Sequence, residues 1–436
     1  MRLEHTQTPL TINVFLSLAD CLMPASLALA LGDVLADYPI LRTRAVSSFW
    51  GYRRDLVALA DIDFRSLITW AAVGDRAAEA AFIQKPLPPE TDLPVRLFVQ
   101  PHAHGACLIV SVHHSAVDAV GENHLIDRLA FRYGECARGI TSLPLVCLNR
   151  PTYGTHLRQL TWWERFQVLR YSAAVINDLV AAARGAAYAT FQDLPIPARG
   201  ATRWVTVPIT GTPLAALHGW RKYQGGTLND VLMAAFLVAC CQVWPEEVGK
   251  PIVVHVPVNL RQGPDVVIGN QVADVRIVIP STACTSFEAA YAAVCAATPP
   301  ARARLNAVAR IFERALASYL PPSWFRRAVT SHLDQPANPV LSLSFSNLGD
   351  LGGRPRDFGA TVVQDLFVLG PLSVPPGISA WVTTFRGEAS LCIGYVEPVV
   401  THESANAVAE AFVSLVTKIS VAGQGRHEGP SHDSVR

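Results

Sequence analysis

Apolar residues recur along the chain with two periods, one typical of helices and one typical of half-buried strands. The segment VFLSLADCLMPASLALALGDVLADYPILRTRAV, residues 14–46, predicts a helix of about five turns that ends near Pro39 and is followed by a strand. Two strands are predicted at 95–101 and 106–112, and a helical pattern follows Asp118. The first part of the chain therefore has the alternation typical of an α/β protein.

A second alternation begins near residue 203 and predicts two lobes. We expect an N-terminal lobe at 1–190, which includes a linking helix at 157–191, and a C-terminal lobe at 203–422. Residues 191–202 carry two prolines and resemble a linker. The polar residues 423–436 are expected to form a disordered tail. Strands of the C-terminal lobe are predicted at 203–208, 252–258, 273–279, 340–346, 362–368, 379–385 and 389–396.

Composition narrows the class of protein. The chain has 436 residues, of which 50% are hydrophobic and 16% are charged, as expected for a well-packed globular protein. A net charge of +1 gives no field that would attract nucleic acid, and the nine cysteines show no zinc-like spacing. The N-terminus lacks a secretory signal pattern, and the longest apolar run, 231–241, is too short to span a bilayer. We therefore expect a soluble, cytoplasmic protein.

The stretch at 157–191 combines Trp162 and Trp163 with arginines at 158, 165 and 170. Such an amphipathic helix can lie on a membrane surface or meet a hydrophobic acyl donor. More often it packs over its own domain, and this is the interpretation that we favour from the sequence.

The candidate chemistry lies in LIVSVHHSAVDAV, residues 108–120, where two histidines and an aspartate end an apolar strand. Core histidines with local hydrogen bonds, a metal site and a general base are three interpretations of His113, His114 and Asp118. No H-x-x-x-H or H-E-x-x-H spacing favours the metal site. A neutral imidazole accepts a proton at neutral pH, and adjacent strand residues face opposite sides of a sheet. One histidine of the pair is therefore expected to face a cleft while the other packs.

HHSAVDA resembles the H-H-x-x-x-D-G signature of the chloramphenicol-acetyltransferase-like superfamily. This superfamily includes nonribosomal peptide condensation domains, polyketide-associated acyltransferases, wax ester synthases and plant acyltransferases. Other segments resemble the family in the same order, so that the resemblance covers roughly residues 8–420: LADYPILRTRAV, GGTLNDVLMAAFLVAC, VPVNLRQ, GNQV and LSFSNLGDLG. One departure is Ala119, which stands where the signature has glycine.

The resemblance implies two similar lobes of mixed β-sheet flanked by helices, with an active-site tunnel at their interface. It also implies that the loop at 369–381 crosses from one lobe to the other. No cofactor would be bound permanently. The acyl donor would be acyl-CoA or a thioester on the phosphopantetheine of an acyl or peptidyl carrier protein, and a small molecule would be the acceptor.

The resemblance also implies roles for individual residues. His114 would be the general base and His113 its structural neighbour, while Asp118 would pair with Arg261 and hold the histidine loop. Ser346 and Asn347 would lie near the active cleft as donors to substrate or to the developing oxyanion. A buried serine that bonds to the backbone is an alternative for Ser346. Asn229 would brace the tunnel wall, next to a helix cap that the Thr227-x-x-Asp230 spacing predicts.

The expected activity is acyl transfer from a thioester to a hydroxyl or an amine. The resemblance implies that no covalent serine intermediate forms, and the absence of a G-x-S-x-G motif counts against a serine hydrolase. The resemblance also implies a role in the biosynthesis of a specialised metabolite or a lipid, as is common among family members. Two alternatives stay open from the sequence. Ala119 would suit a catalytically silent binding or scaffold protein with the same fold, and the fold could also have been recruited for a cyclisation.

Overall fold

A computed structural model describes two lobes, each built from a mixed β-sheet flanked by helices, which confirms the expected fold class. The described residues are 9–48, 51–140, 158–183, 188–194, 200–261, 268–318, 341–352, 357–374 and 376–424. Residues 425–436 of the expected disordered tail and the middle of the expected linker lie outside them, whereas residues 423 and 424 of that tail are helical. None of the helices in the described ranges is long and apolar enough to cross a bilayer.

Thirteen strands and nine helices are used below to place the site. The strands are β1 (Thr11–Leu18), β2 (Thr43–Ser48), β3 (Gly51–Leu56), β4 (Ile68–Trp70), β5 (Val95–His102), β6 (Gly105–His113), β7 (Ala201–Ile209), β8 (Pro251–Asn259), β9 (Val272–Pro280), β10 (Leu343–Asp350), β11 (Val363–Leu369), β12 (Ile378–Phe385) and β13 (Glu388–Glu397). The helices are α1 (Pro24–Asp37), α2 (Arg76–Gln84), α3 (Ala119–Ala137), α4 (Trp162–Ala183), α5 (Thr212–Gln224), α6 (Leu228–Val243), α7 (Phe287–Arg302), α8 (Arg304–Ser318) and α9 (His402–Gln424).

The first sheet has the strand order β11-β1-β6-β5-β4, and only the β4–β5 pair is parallel. Both of its faces are buried, because side chains alternate between two cores along each strand. Leu97 and Val110 pack with α1 and α3 on one face, whereas Phe98 and Ile109 join the core of the second lobe. The end of β6, which carries the two histidines, is therefore fixed on both sides.

The segment at 14–46 begins differently from the sequence prediction. Residues Thr11–Leu18 form strand β1, and the helix starts only at Pro24, which occupies its first turn. Seven of the eight β1 residues are buried between β6 and β11. A short, continuously apolar run does not distinguish a buried strand from a buried helix by its period, which explains the wrong start.

Strand β11 lies in the first sheet, although the sequence analysis placed these residues in the C-terminal lobe. It pairs antiparallel with β1, and the rings of Phe15 and Phe367 stack with centroids 4.4 Å apart. Strand β12 belongs to the second sheet, so the chain between Leu369 and Ile378 runs from one sheet to the other. Pairing with β11 covers the edge that β1 would otherwise expose.

The second sheet has the order β7-β13-β12-β10-β8-β9, with parallel pairs at β12–β10 and β10–β8. Helix α6 lies in its core, and the side chains from Asn229 to Cys241 are all buried. The Thr227 side chain accepts from the Asp230 backbone while the Asp230 carboxylate accepts from the Thr227 backbone, which is the predicted capping box. Phe191, the first residue of the expected linker, is fully buried in this core.

Candidate active site

A cavity of about 1030 Å³ lies between the two lobes. This volume lies just above the range of about 300–1,000 Å³ that is usual for small-molecule sites. The first lobe contributes the tip of β6 and the start of α3, and the second lobe contributes the ends of β8, β10 and α6. Among the lining residues are Ile12, His114, Asp118, Ala119, Leu214, His218, Asn229, His255, Asn259, Asp274, Arg302, Ser346, Asn347 and Trp381.

His114 is on the cavity wall, in the tight turn that joins β6 to α3. Its backbone N–H donates to the Leu10 carbonyl at 2.9 Å, and its Nδ1 lies 3.3 Å from the Val117 carbonyl oxygen. A carbonyl oxygen can only accept, so the proton in this contact is on Nδ1. The neutral ring then has its lone pair on Nε2, the tautomer that a base facing the cavity requires.

His113 is buried, with a side chain only 2% exposed. Its Nδ1 accepts from the Ser115 backbone at 3.2 Å and lies 2.7 Å from the Ser115 hydroxyl. Burial, together with smaller effects of the neighbouring His114 and Arg54, lowers the pKa of His113 to about 4. The imidazole of His113 is therefore uncharged at neutral pH.

Asp118 joins the two lobes through a bidentate ion pair with Arg261. The two contacts are 2.9 Å from Arg261 Nη1 to Asp118 Oδ2 and 2.8 Å from Nη2 to Oδ1. The side chains are 8% and 1% exposed, so water screens the pair little. The Asp118 carboxylate also caps α3 by accepting from the Gly121 N–H at 2.8 Å. This one side chain therefore fixes both the start of α3 and its contact with the second lobe.

The segment before β9 holds the histidine loop from the other side. The Asn270 side chain donates to the His114 carbonyl at 2.8 Å, and the Gln271 N–H donates to Asp118 Oδ2 at 2.6 Å. The Gly269 carbonyl accepts from the Asp118 N–H at 3.3 Å and from Arg261 Nη2 at 2.9 Å. The segment GNQV resembles the family in sequence, but that resemblance gave these residues no role. The contact between segments so far apart has no local sequence signal.

Glu122, one helical turn after Asp118, is fully buried. Burial raises the pKa of Glu122 well above its usual value, and the Asp118 charge raises it further. Neither carboxyl oxygen of Glu122 has a hydrogen-bond partner in the part of the chain that the structure describes. Burial therefore favours the protonated form of Glu122, and Asp118 is the carboxylate that pairs with Arg261. Glu122 was assigned no role from the sequence.

Ala119, which replaces the glycine of the signature, occupies the first position of α3 and lines the cavity. The backbone φ angle at Ala119 is not positive; in the described part of the chain, Arg386 is the non-glycine residue with a positive φ. The backbone at 119 therefore has no need for glycine, and the extra methyl group does not distort the turn. Backbone strain at Ala119 therefore gives no argument for a catalytically silent protein.

Gly121 is the glycine that the close approach of the lobes requires. A Cβ there would lie 2.8 Å from a Val117 methyl carbon, 3.1 Å from the Gly269 oxygen and 3.2 Å from Arg261 Nη2. We expect Gly121→Ala to lower the free energy of unfolding by about 1–3 kcal/mol, measured by urea denaturation. Helix propensity alone would give the opposite sign, since alanine stabilises helix interiors by about 0.5–1 kcal/mol over glycine.

Gly269→Ala is the matched control for this substitution. A Cβ at Gly269 meets no atom within 4 Å, and the change is expected to alter the free energy of unfolding by less than about 0.5 kcal/mol. A stabilising Gly121→Ala, or equal effects at both positions, would show that the lobes do not meet tightly at Gly121.

The residues expected from the second lobe also line the cavity. Ser346 is 8% exposed on β10, and the Asn347 side-chain oxygen accepts from the Gly349 N–H at 2.8 Å, which leaves its NH₂ group as a donor. Asn229 lines the wall as well, but its amide atoms are buried and have no partner among the described residues. Nowhere in the described ranges do three His, Cys, Asp or Glu side chains come together as metal ligands do.

Several solved structures share this fold. The trichothecene 15-O-acetyltransferase TRI3 from Fusarium sporotrichioides is 12% identical, with a TM-score of 0.68 and coverage of 94% of this chain and 91% of that chain. The first condensation domain of the calcium-dependent antibiotic synthetase is 15% identical, with a TM-score of 0.66 and the same two coverages of 94% and 91%. The epimerization domain of the third module of tyrocidine synthetase B is 15% identical, with a TM-score of 0.61 and coverage of 95% and 92%.

These neighbours are members of the chloramphenicol-acetyltransferase-like superfamily, so they confirm the fold that HHSAVDA led us to expect. No protein-family model and no curated protein matches the sequence. At such identities the likeness establishes the condensation-type fold, and the activity has to be argued from the site itself.

Proposed function

We propose that the protein is an acyltransferase that moves an acyl group from a thioester to a hydroxyl or amine acceptor, with His114 as the general base. The observation that carries the proposal is His114 itself, placed on the wall of a large cavity between the lobes with its Nδ1 bonded to a carbonyl. The likeness to an acetyltransferase and to condensation domains supports the same class of reaction.

In this mechanism the acceptor attacks the thioester carbon while His114 Nε2 takes the acceptor proton. The tetrahedral intermediate then loses the thiolate, and the protonated ring returns the proton to the sulfur. One ester or amide bond forms and one C–S bond breaks, so no cofactor is required. Ser346 and the Asn347 NH₂ group would stabilise the oxyanion as donors from the second lobe.

Three further residues would hold His114 in place without taking part in the reaction: Asp118, Arg261 and His113. The ion pair fixes the loop that carries His114, and the neutral ring of His113 packs behind it without adding charge. The donor would be acyl-CoA or an acyl group on the phosphopantetheine of a carrier protein. A carrier or other protein partner is consistent with a further structural neighbour, the teicoplanin X-domain, whose solved complex contains OxyB.

The test is thioester turnover with acetyl-CoA, palmitoyl-CoA and an acylated carrier protein, each with alcohol and amine acceptors. Release of free thiol together with an ester or amide product, identified by mass spectrometry, is the expected result. Carrier binding without turnover by any donor would instead indicate a scaffold protein, and a ring-closed product without acyl exchange would indicate a cyclase.

A further inference from the structure

Helix α4 exposes an unusual set of apolar side chains at its N-terminal half. We call the four residues Trp162, Trp163, Phe166 and Leu169 the aromatic face, and they are 77%, 52%, 55% and 54% exposed. Residues spaced by three or four positions lie on the same side of a helix, so Trp162, Phe166 and Leu169 form one continuous strip. Large contiguous apolar patches on a protein surface usually mark an interaction site.

The opposite side of α4 is the side that packs on the protein. Val168 and Ser172 are 2% and 6% exposed, and the helix contacts α8 along this side. The sequence interpretation, in which the helix covers its own domain, therefore holds for one side of α4. The aromatic face is turned away from that contact, and its rings pack on each other, with Trp163 and Phe166 stacked at 5.6 Å.

The charges around the aromatic face are basic. Arg165 and Arg170 are exposed in the same stretch of helix. The one acidic residue of this stretch, Glu164, is directed elsewhere: its carboxylate accepts from the Thr161 N–H and hydroxyl at 2.8 Å and lies 4.0 Å from Arg304 of α8. Among the side chains of α4 that the structure describes, at 162–172, the exposed side therefore offers aromatic rings and arginines, and the one carboxylate is engaged by Thr161.

From these observations we propose that the aromatic face binds the surface of an anionic lipid bilayer. Tryptophan side chains favour the interface between lipid and water, because the ring is apolar and its N–H keeps a polar partner. Arginine side chains can extend along the apolar layer and place their guanidinium groups among anionic headgroups. With a net charge of only +1, the whole protein supplies no attraction of its own, so binding depends on this helix.

This surface is distinct from the cavity and does not depend on the catalytic proposal. A helix that lies flat on the bilayer with its aromatic face in the headgroup region would hold the protein at the membrane while the remaining side of α4 stays packed on α8. The arrangement requires no change in the fold.

The test is co-sedimentation of the full chain with vesicles of phosphatidylcholine and phosphatidylglycerol, compared with phosphatidylcholine alone. The wild-type protein is expected to bind the anionic vesicles more tightly, and added salt should weaken binding. The triple variant Trp162→Ser, Trp163→Ser and Phe166→Ser is expected to lower the partition coefficient at least about tenfold, since full burial of even one such ring contributes that much. Arg165→Gln and Arg170→Gln should each lower it about fivefold.

Phe131→Ser is the matched control, since Phe131 is a 51% exposed aromatic residue on α3. It should leave vesicle binding unchanged, and circular dichroism should show each variant folded. Wild-type protein that stays in the supernatant with anionic vesicles would overturn the proposal, as would a triple variant that binds like wild type. Concentration-dependent dimers that the triple variant abolishes, without vesicle binding, would show that a second copy covers the face instead.

Discussion

His114→Ala is expected to lower the rate of thioester-dependent acyl transfer by about 10²–10⁴-fold, the usual effect of losing a general base. The reason is geometric. His114 lies on the wall of the cavity, and its contact with the Val117 carbonyl leaves the Nε2 lone pair to accept a proton. Without that base, the acceptor must lose its proton to water as it attacks. The rate is measured as product formed from the thioester that the wild-type protein turns over.

Two controls separate catalysis from folding in this experiment. His104→Ala removes an exposed histidine in the turn between β5 and β6, and its rate should match that of the wild-type protein. His114→Ala itself should unfold at nearly the wild-type urea concentration, because within the described ranges the ring makes one hydrogen bond, of 3.3 Å. An unchanged rate in His114→Ala would end the assignment of the base.

Asp118→Ala is expected to destabilise the folded chain by about 3–5 kcal/mol, the usual cost of breaking a buried ion pair. Its removal leaves the Arg261 guanidinium buried at 8% exposure without its carboxylate, and it also uncaps α3. We expect a lower urea midpoint and a lower soluble yield, together with reduced activity, because the histidine loop loses its contact with the second lobe. The free energy of unfolding is measured by urea denaturation.

The ion pair between Arg203 and Glu397 provides the matched control. Its side chains are 42% and 34% exposed, so Glu397→Gln should cost no more than about 1 kcal/mol. The double variant Asp118→Leu with Arg261→Met should be less destabilised than the sum of its single changes, since no unpaired charge remains. An Asp118→Ala protein with wild-type stability and only a slower reaction would contradict the structural role of the pair.

The histidine motif and the elements next to it could be predicted because each has a recognisable pattern within a short segment of the sequence. A strand that ends in two histidines, followed by a helix capped by Asp118, gives a clear change of period, and the Thr227–Asp230 capping box has its own spacing. The resemblance to a known family then indicated Arg261 as the partner of Asp118, a pairing across 143 positions that no local pattern contains.

The contacts that the sequence did not indicate are those decided by packing. Strand β1 was mistaken for helix because its apolar run has no decisive period, and β11 was assigned to the wrong sheet because strand pairing between distant segments leaves no mark in either one. In the sequence, Asn270 and Glu122 look like ordinary polar residues. Only the folded chain shows that the Asn270 side chain donates to the His114 carbonyl at 2.8 Å and that Glu122 is fully buried.

The central claim is that an acyl donor reaches His114 through the cavity between the lobes. A crystal structure of the protein with bound CoA tests it most directly. We expect the thiol to lie in the cavity so that an acceptor bound beside it comes within about 2.6–3.2 Å of His114 Nε2. CoA bound outside the cavity, or a His114 ring closed off from it by solid packing, would contradict the account.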